Sequence, residues 1–286
     1  MDFLDALTLG VVQGITEFLP ISSTGHLILA REFFGITSEH GLAIDAVLQL
    51  ATALAVLIYF RRDLLEVGHA LGSFFANRLH VPIKYNGIVS PITSPAVKAN
   101  NRFLLALTLG TIPAVIAGLV LEDYMETIFR SADLVAWMLI VGSLLFLAAE
   151  YAATRYEAGG ERREVSPMRG LVIGLFQCLA LIPGMSRSGA TISGGLFLGL
   201  SREEAARFGF LLSLPILLGS GLKKFFELSG EGVLSSMGAS IFVSALAAFI
   251  VGLAAIHYLL KFLRNHTLLV FVVYRILLAG IVFLLL

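Results

Sequence analysis

The sequence predicts an all-α, polytopic membrane protein: six full transmembrane helices plus two re-entrant helix–loop–helix hairpins in an inverted-topology repeat. Three observations predict it. Of the 286 residues 57% are hydrophobic and 14% charged, with mean hydropathy +0.90, whereas a soluble chain carries about 25% charged residues. Six stretches, roughly 42–60, 100–121, 132–153, 203–222, 238–260 and 267–286, stay apolar over the ~20 residues that a helix needs to cross hydrocarbon. Two further apolar regions, 3–35 and 169–200, are broken in the middle by Pro, Gly, Ser and Thr.

Composition also excludes classes. Twenty basic residues balance 20 acidic ones and no stretch forms a basic arm, which excludes a nucleic-acid binder; the hydropathy excludes a cytosolic enzyme and a disordered chain. The one cysteine, Cys178, lies in an apolar run and excludes an intramolecular disulfide framework or a multi-cysteine metal cluster. The opening Met1-Asp2-Phe3-Leu4-Asp5 has acid where a signal peptide has base and no small-residue cleavage site follows, so the segment is expected to stay in the mature protein.

In chain order, the first broken region kinks at Leu19-Pro20-Ile21-Ser22-Ser23-Thr24-Gly25-His26 and the second at Pro183-Gly184-Met185-Ser186-Arg187-Ser188-Gly189-Ala190-Thr191. Each half is too short to cross, so each region reads as a half-helix in, a polar loop near mid-depth and a half-helix back. Irregular backbone at that depth needs protein or a water-filled cavity around it, so both loops should line a cavity. At a constant offset of 164 residues Gly10 falls on Gly174, Gln13 on Gln177, Ser22 on Ser186 and Gly25 on Gly189. Three spans follow each hairpin, which makes 1–286 one domain of two inverted halves, about 1–153 and 169–286. One side of the bilayer receives fourteen Lys and Arg and the other four, Arg31, Arg130, Lys223 and Lys224. The basic side is then cytoplasmic, both termini face outward and the first hairpin enters from outside.

The broken helices could carry chemistry. A helix starting at Ser23 or Thr24 leaves its first amides unpaired and concentrates roughly half a positive charge at its tip, a ready anion site. Ser22, Ser23, Thr24, Gly25, Ser186, Ser188, Gly189 and Thr191 would surround two such tips with small donors, and the fitting guest is phosphate. The bland alternative is capping by the hydroxyls and close helix packing at Gly10, Gly14, Gly195 and Gly199. Arg187 favours the anion: at mid-membrane it costs about 2.5–3.5 kcal/mol, and its planar fork matches phosphate, with an ion pair to Glu17 as the competing account. Gln13 and Glu17 share a helix face, and Glu17 stands at the negative end of its half-helix, where a cation would relieve it. One carboxylate, one amide and substrate phosphates suffice for Mg²⁺. His26 could move a proton or attack phosphorus. His257 reads as a satisfied core or capping histidine. Asp45, Gln49, Tyr274 and Arg275 are weaker candidates for the cavity wall, with Arg275 placed among the substrate contacts and an Asp45–Arg275 pair left open.

Gln13-x-x-x-Glu17 with Phe18 to His26, together with Pro183 to Thr191, resembles the two signature motifs of the bacterial undecaprenyl-pyrophosphate phosphatases of the bacitracin-resistance type. The resemblance covers essentially the whole chain. It implies an inner-membrane hydrolase that converts undecaprenyl pyrophosphate to the monophosphate for cell-wall synthesis and needs Mg²⁺ or Ca²⁺; with the orientation above, its site is expected to open to the outer side. Its partners would be the polyprenyl pyrophosphate and bilayer lipid, with no nucleic acid and a homodimer left open. Many members carry Glu where this chain has Gln13, so a metal would rest mainly on Glu17. Glu17, Ser23, His26 and Arg187 are the catalytic candidates, and the nucleophile is open between Ser23, His26 and water. A transporter or flippase for a phosphorylated substrate is the competing class, because inverted repeats with broken helices are also transporter architecture. A histidine acid phosphatase reading, suggested by Thr24-Gly25-His26, fails for want of a His and Asp after Ser186-Arg187.

Overall fold

The computed structural model describes residues 3–36, 41–78, 84–85, 88–89, 95–121, 131–160, 163–230 and 233–285. Among them the chain forms helices α1 (Phe3–Thr16), α2 (Ser23–Phe34), α3 (Gly41–Tyr59), α4 (Arg61–Arg78), α5 (Pro95–Val120), α6 (Ala132–Ala158), α7 (Pro167–Leu179), α8 (Arg187–Phe197), α9 (Arg202–Gly230), α10 (Val233–Leu263) and α11 (Leu269–Leu285). A two-residue antiparallel pair, Lys84–Tyr85 with Ile88–Val89, is the one departure from an all-helical chain among the described residues.

Four helices are long and apolar enough to cross a bilayer: Asn101–Val120, Ala132–Ala158, Arg202–Glu227 and Gly238–Leu263. They fall on four of the six expected spans. The expected 42–60 span is α3, which bends by 75° at Phe60 into α4, and the pair counts as a fifth span only when taken together. The expected 267–286 span is α11, which has 17 residues. The outer faces of these helices stay apolar, with Leu119, Val120, Trp137 and Leu284 all exposed, as lipid contact requires. The chain is a multi-pass membrane protein.

Local sequence explains where helices start. Ser131 and Ser166 cap α6 and α7 by accepting from the amides of Leu134 and Arg169, and Pro167 takes the first turn of α7, where a missing N–H costs nothing. Ser201 and Glu204 form a reciprocal capping box at α9, with Glu204 N–H donating to Ser201 Oγ at 3.2 Å and Ser201 N–H to the Glu204 carboxylate at 3.1 Å. One end of the bundle is laced by ion pairs: Arg202 with Glu150 and Glu157 at 2.6 Å each, Arg264 with Glu203 at 2.8 Å, and Arg207 with Asp63.

Packing interlocks the halves of the chain. The short α1 lies on the long α10, and the short α7 on α5. Both crossings are backbone to backbone: a Cβ on Gly10 would run into the Ser244 carbonyl, and one on Gly174 into the carbonyl of Gly110. Gly10 and Gly174 are a pair at the 164-residue offset, so the close-packing account of these glycines holds. Gly199 differs, occupying a left-handed turn at φ 81°. Two expectations are corrected here. Asp45 does not meet Arg275; it accepts from Arg31 at 2.5 and 2.9 Å and ties the end of α2 to the start of α3. His257 is exposed on α10 rather than in the core, 3.4 Å from the Tyr59 hydroxyl.

Candidate active site

Both broken regions break where the sequence says. α1 stops at Thr16 and α2 restarts at Ser23; α7 stops at Leu179 and α8 restarts at Arg187. The two N-caps, Ser22 and Ser186, are the positive-φ non-glycine residues of the described chain, at 75° and 73°. A serine there is strained by roughly 1–2 kcal/mol, so the surroundings must hold it. They do. Ser22 Oγ accepts from the amides of Gly25 at 3.3 Å and, across the molecule, Gly184 at 3.0 Å. Ser186 Oγ accepts from Gly189 at 3.2 Å and shares a hydrogen bond with Ser188 Oγ at 3.1 Å. The cap bonds serve Gly25 and Gly189, not the leading amides of either helix.

The loops meet. Ser188 donates to the Leu19 carbonyl at 3.1 Å, and Arg187 forms an ion pair with Glu17, whose side chain is 3% exposed. The other Glu17 oxygen accepts from Gln13 Nε2 at 2.9 Å and from the Ser23 hydroxyl at 2.6 Å. Gln13, Glu17, Ser23 and Arg187 thus form one hydrogen-bonded cluster built from two segments about 170 positions apart in sequence. Gln13 Oε1 is buried without a partner among the described residues. Beside the cluster, Glu17, Phe18, Arg187, Ser188, Gly209, Phe210 and Ser213 line a hollow of about 10 Å³, room for one water. A larger hollow of about 540 Å³ lies at the α3–α4 bend, among Arg61, Arg62, Asp63 and Glu66, and shares no residue with the cluster.

The remaining expected residues divide into those near the cluster and those behind it. Thr24 is half-buried, and its hydroxyl has no hydrogen bond among the described residues. His26 follows one turn after Ser23, with Nδ1 2.8 Å from the Ser22 carbonyl and Nε2 2.7 Å from the Tyr274 hydroxyl. Thr191 is buried and donates back to the carbonyls of Arg187 and Ser188, serving its own helix. Arg275, expected among the substrate contacts, is 0% exposed. Its guanidinium donates to the carbonyls of Pro20 (3.3 Å), Gly184 (2.9 Å), Met185 (3.2 Å), Met138 (3.1 Å) and Leu139 (3.2 Å), and to Ser143 Oγ (3.3 Å). It therefore fastens both loops to α6 from behind. A Cβ on Gly142 would collide with its Nη2, so a glycine makes the room.

Sequence reasoning missed this clamp, the Tyr274 contact and the α9 wall. Tyr274-Arg275 interrupting an apolar helix was the available signal for the first two; nothing local marks Phe210 or Ser213. No three His, Cys, Asp or Glu gather among the described residues, so a cation here must draw on amide, hydroxyl or substrate oxygens.

The profile of the family described as bacitracin resistance protein BacA matches residues 6–281. The chain belongs to this family. Relatives named undecaprenyl-diphosphatase align along most of their lengths. One from Myxococcus xanthus is 43% identical over 281 residues, covering 96% of this chain and 86% of the relative. One from Mycolicibacterium smegmatis is 43% identical over 288 residues (99% and 96%), and one from Chloroherpeton thalassium 40% over 283 (97% and 94%). The resemblance read from the two motifs is borne out, and the cluster just described is where this BacA-family chain brings those motifs together.

Proposed function

We propose that the chain hydrolyses undecaprenyl pyrophosphate to undecaprenyl phosphate and inorganic phosphate at the Glu17–Ser23–Arg187 cluster, recycling a lipid carrier for cell-wall synthesis. One observation carries the reading: two broken segments remote in sequence place a carboxylate, a hydroxyl bonded to it and a guanidinium in a single hydrogen-bonded group. That is the donor set phosphoryl transfer needs, and the family relatives' name agrees with it.

A diphosphate would enter by displacing Glu17 from Arg187 beside the one-water hollow. Arg187 then trades a carboxylate for phosphoryl oxygens, with the Thr24 hydroxyl and the leading amides of α2 and α8 as further donors. Glu17, released, accepts the Ser23 proton as Ser23 Oγ attacks the terminal phosphorus. The bond from that phosphorus to the bridging oxygen breaks, and its electron pair leaves with the prenyl phosphate. Glu17 passes that proton to the departing prenyl phosphate. Water then attacks the phosphoserine phosphorus and Glu17 takes the water's proton. The P–Oγ bond breaks with its electron pair on Ser23 Oγ, and Glu17 returns the proton to that oxygen. The unpartnered Gln13 Oε1 beside Glu17 fits a divalent cation, Mg²⁺ or Ca²⁺, held by Glu17, Gln13 and substrate oxygens; such a cation would supply charge neutralisation.

The same reading includes the membrane arrangement. Six spans and two re-entrant hairpins in inverted halves are supported by Gly10 with Gly174 and Ser22 with Ser186, pairs at one offset that do the same structural work. The basic ends of the helices would face the cytoplasm and the site the outer side of the inner membrane.

Purified protein in detergent, where no second compartment exists, is expected to release inorganic phosphate from polyprenyl pyrophosphate, more with Mg²⁺ than with a chelator. Glu17→Gln and Arg187→Ala should each lower turnover by about 100-fold or more with folded protein still recovered. Mass mapping of an acid-quenched reaction should place the phosphoryl group on Ser23. Silence of the wild type would favour transport of a phosphorylated substrate.

A further inference from the structure

Tyr274 sits on α11 one residue before the loop clamp, so the register that buries Arg275 also fixes where Tyr274 points. Its ring lies nearly parallel to that of His26, with 10° between the planes and 5.7 Å between centroids. Its hydroxyl is 2.7 Å from His26 Nε2. On the other side of the imidazole, Nδ1 is 2.8 Å from the Ser22 carbonyl oxygen. A carbonyl oxygen only accepts, so Nδ1 carries a hydrogen; in the neutral ring Nε2 then holds the lone pair and accepts the Tyr274 O–H. If the ring is protonated, Nε2–H donates to the same oxygen. The contact survives both charge states with its direction reversed.

We propose that Tyr274 is a positioning residue for the reaction: it fixes the tautomer and ring plane of His26, so that the one basic nitrogen is Nε2 and faces α11 rather than Ser23. The assignment rests on the site reading above and separates two roles within it. Ser23 already gives its hydrogen bond to Glu17 at 2.6 Å. His26 is left with Nε2 as its basic nitrogen, directed at Tyr274, which is 42% exposed. Ser22 links the two roles, because its strained N-cap backbone supplies the carbonyl that holds Nδ1.

Tyr274→Phe keeps the stacked ring and removes only the hydroxyl. It is expected to lower kcat about 10-fold with KM within about 2-fold of wild type, whereas His26→Ala should lose about 100-fold. The double variant should match His26→Ala within about 2-fold, because Tyr274 acts through His26. Nitrogen NMR of protein labelled at histidine, with the His26 signal assigned from His26→Ala, should show the Nε2 resonance of Tyr274→Phe shifted toward that of a free imidazole. Losses that multiply in the double variant, or an unmoved Nε2 resonance, overturn the proposal while leaving the hydrolase reading intact. Full activity of His26→Ala overturns it as well. A wild type that releases no phosphate, with the Nε2 shift still seen in Tyr274→Phe, would sink the hydrolase reading and leave the Tyr274 contact standing.

Discussion

Arg187 and Arg275 both reach the two loops, and their partners give them opposite work. Arg187 is partly open and holds one movable carboxylate, which a phosphate can replace. Arg275 is closed in and holds backbone carbonyls, which nothing can replace. Removing donors there would leave buried carbonyls unpaired at about 1–3 kcal/mol each. Lysine has three hydrogens on one atom and cannot reach both loops and α6 together. Arg275→Lys is therefore expected to lower folded yield and the thermal midpoint in detergent, with KM of the surviving enzyme little changed. A stable variant with a strongly raised KM would place Arg275 among the substrate contacts.

At the scale of elements, the short helices are held by backbone contact rather than by side-chain volume. α7 crosses α5 with Gly170 and Gly174 against Ala106 and Gly110, and α1 crosses α10 with Gly10 and Gly14 against Ser244 and Ala248. A methyl group at such a crossing must push two helices apart, which costs about 1–3 kcal/mol and displaces the loop that the helix carries. Gly174→Ala should lower the thermal midpoint and turnover together. Gly118→Ala, on the same α5 where nothing lies within 4 Å, should raise the midpoint slightly through helix propensity. Equal midpoints for the two variants would deny that the crossing positions the site.

For the whole molecule, one end gathers the ion pairs of Asp63, Glu150, Arg202, Arg207 and Arg264, and the Arg31–Asp45 pair lies at the other end of α3. In a Cys178→Ser background, Glu32→Cys should react with an impermeant thiol reagent in spheroplasts, whereas Lys261→Cys should react only after lysis. The reverse pattern would turn the site toward the cytoplasm.

The sequence by itself determined the helical membrane class, both breaks, the family and the residue types of the cluster. Those depend on hydropathy over about 20 residues and on turn chemistry over about ten, which are local properties of a chain. It also set Glu17 and Arg187 as candidates for each other, since neither is tolerable alone in lipid. Only the tertiary structure decided that Arg275 ties both loops to α6, that Asp45 pairs with Arg31, that His257 is exposed on α10, and that Tyr274 faces His26. Each of those depends on which helix faces lie together, and hydrophobic periodicity that serves lipid as well as protein neighbours carries no record of that choice.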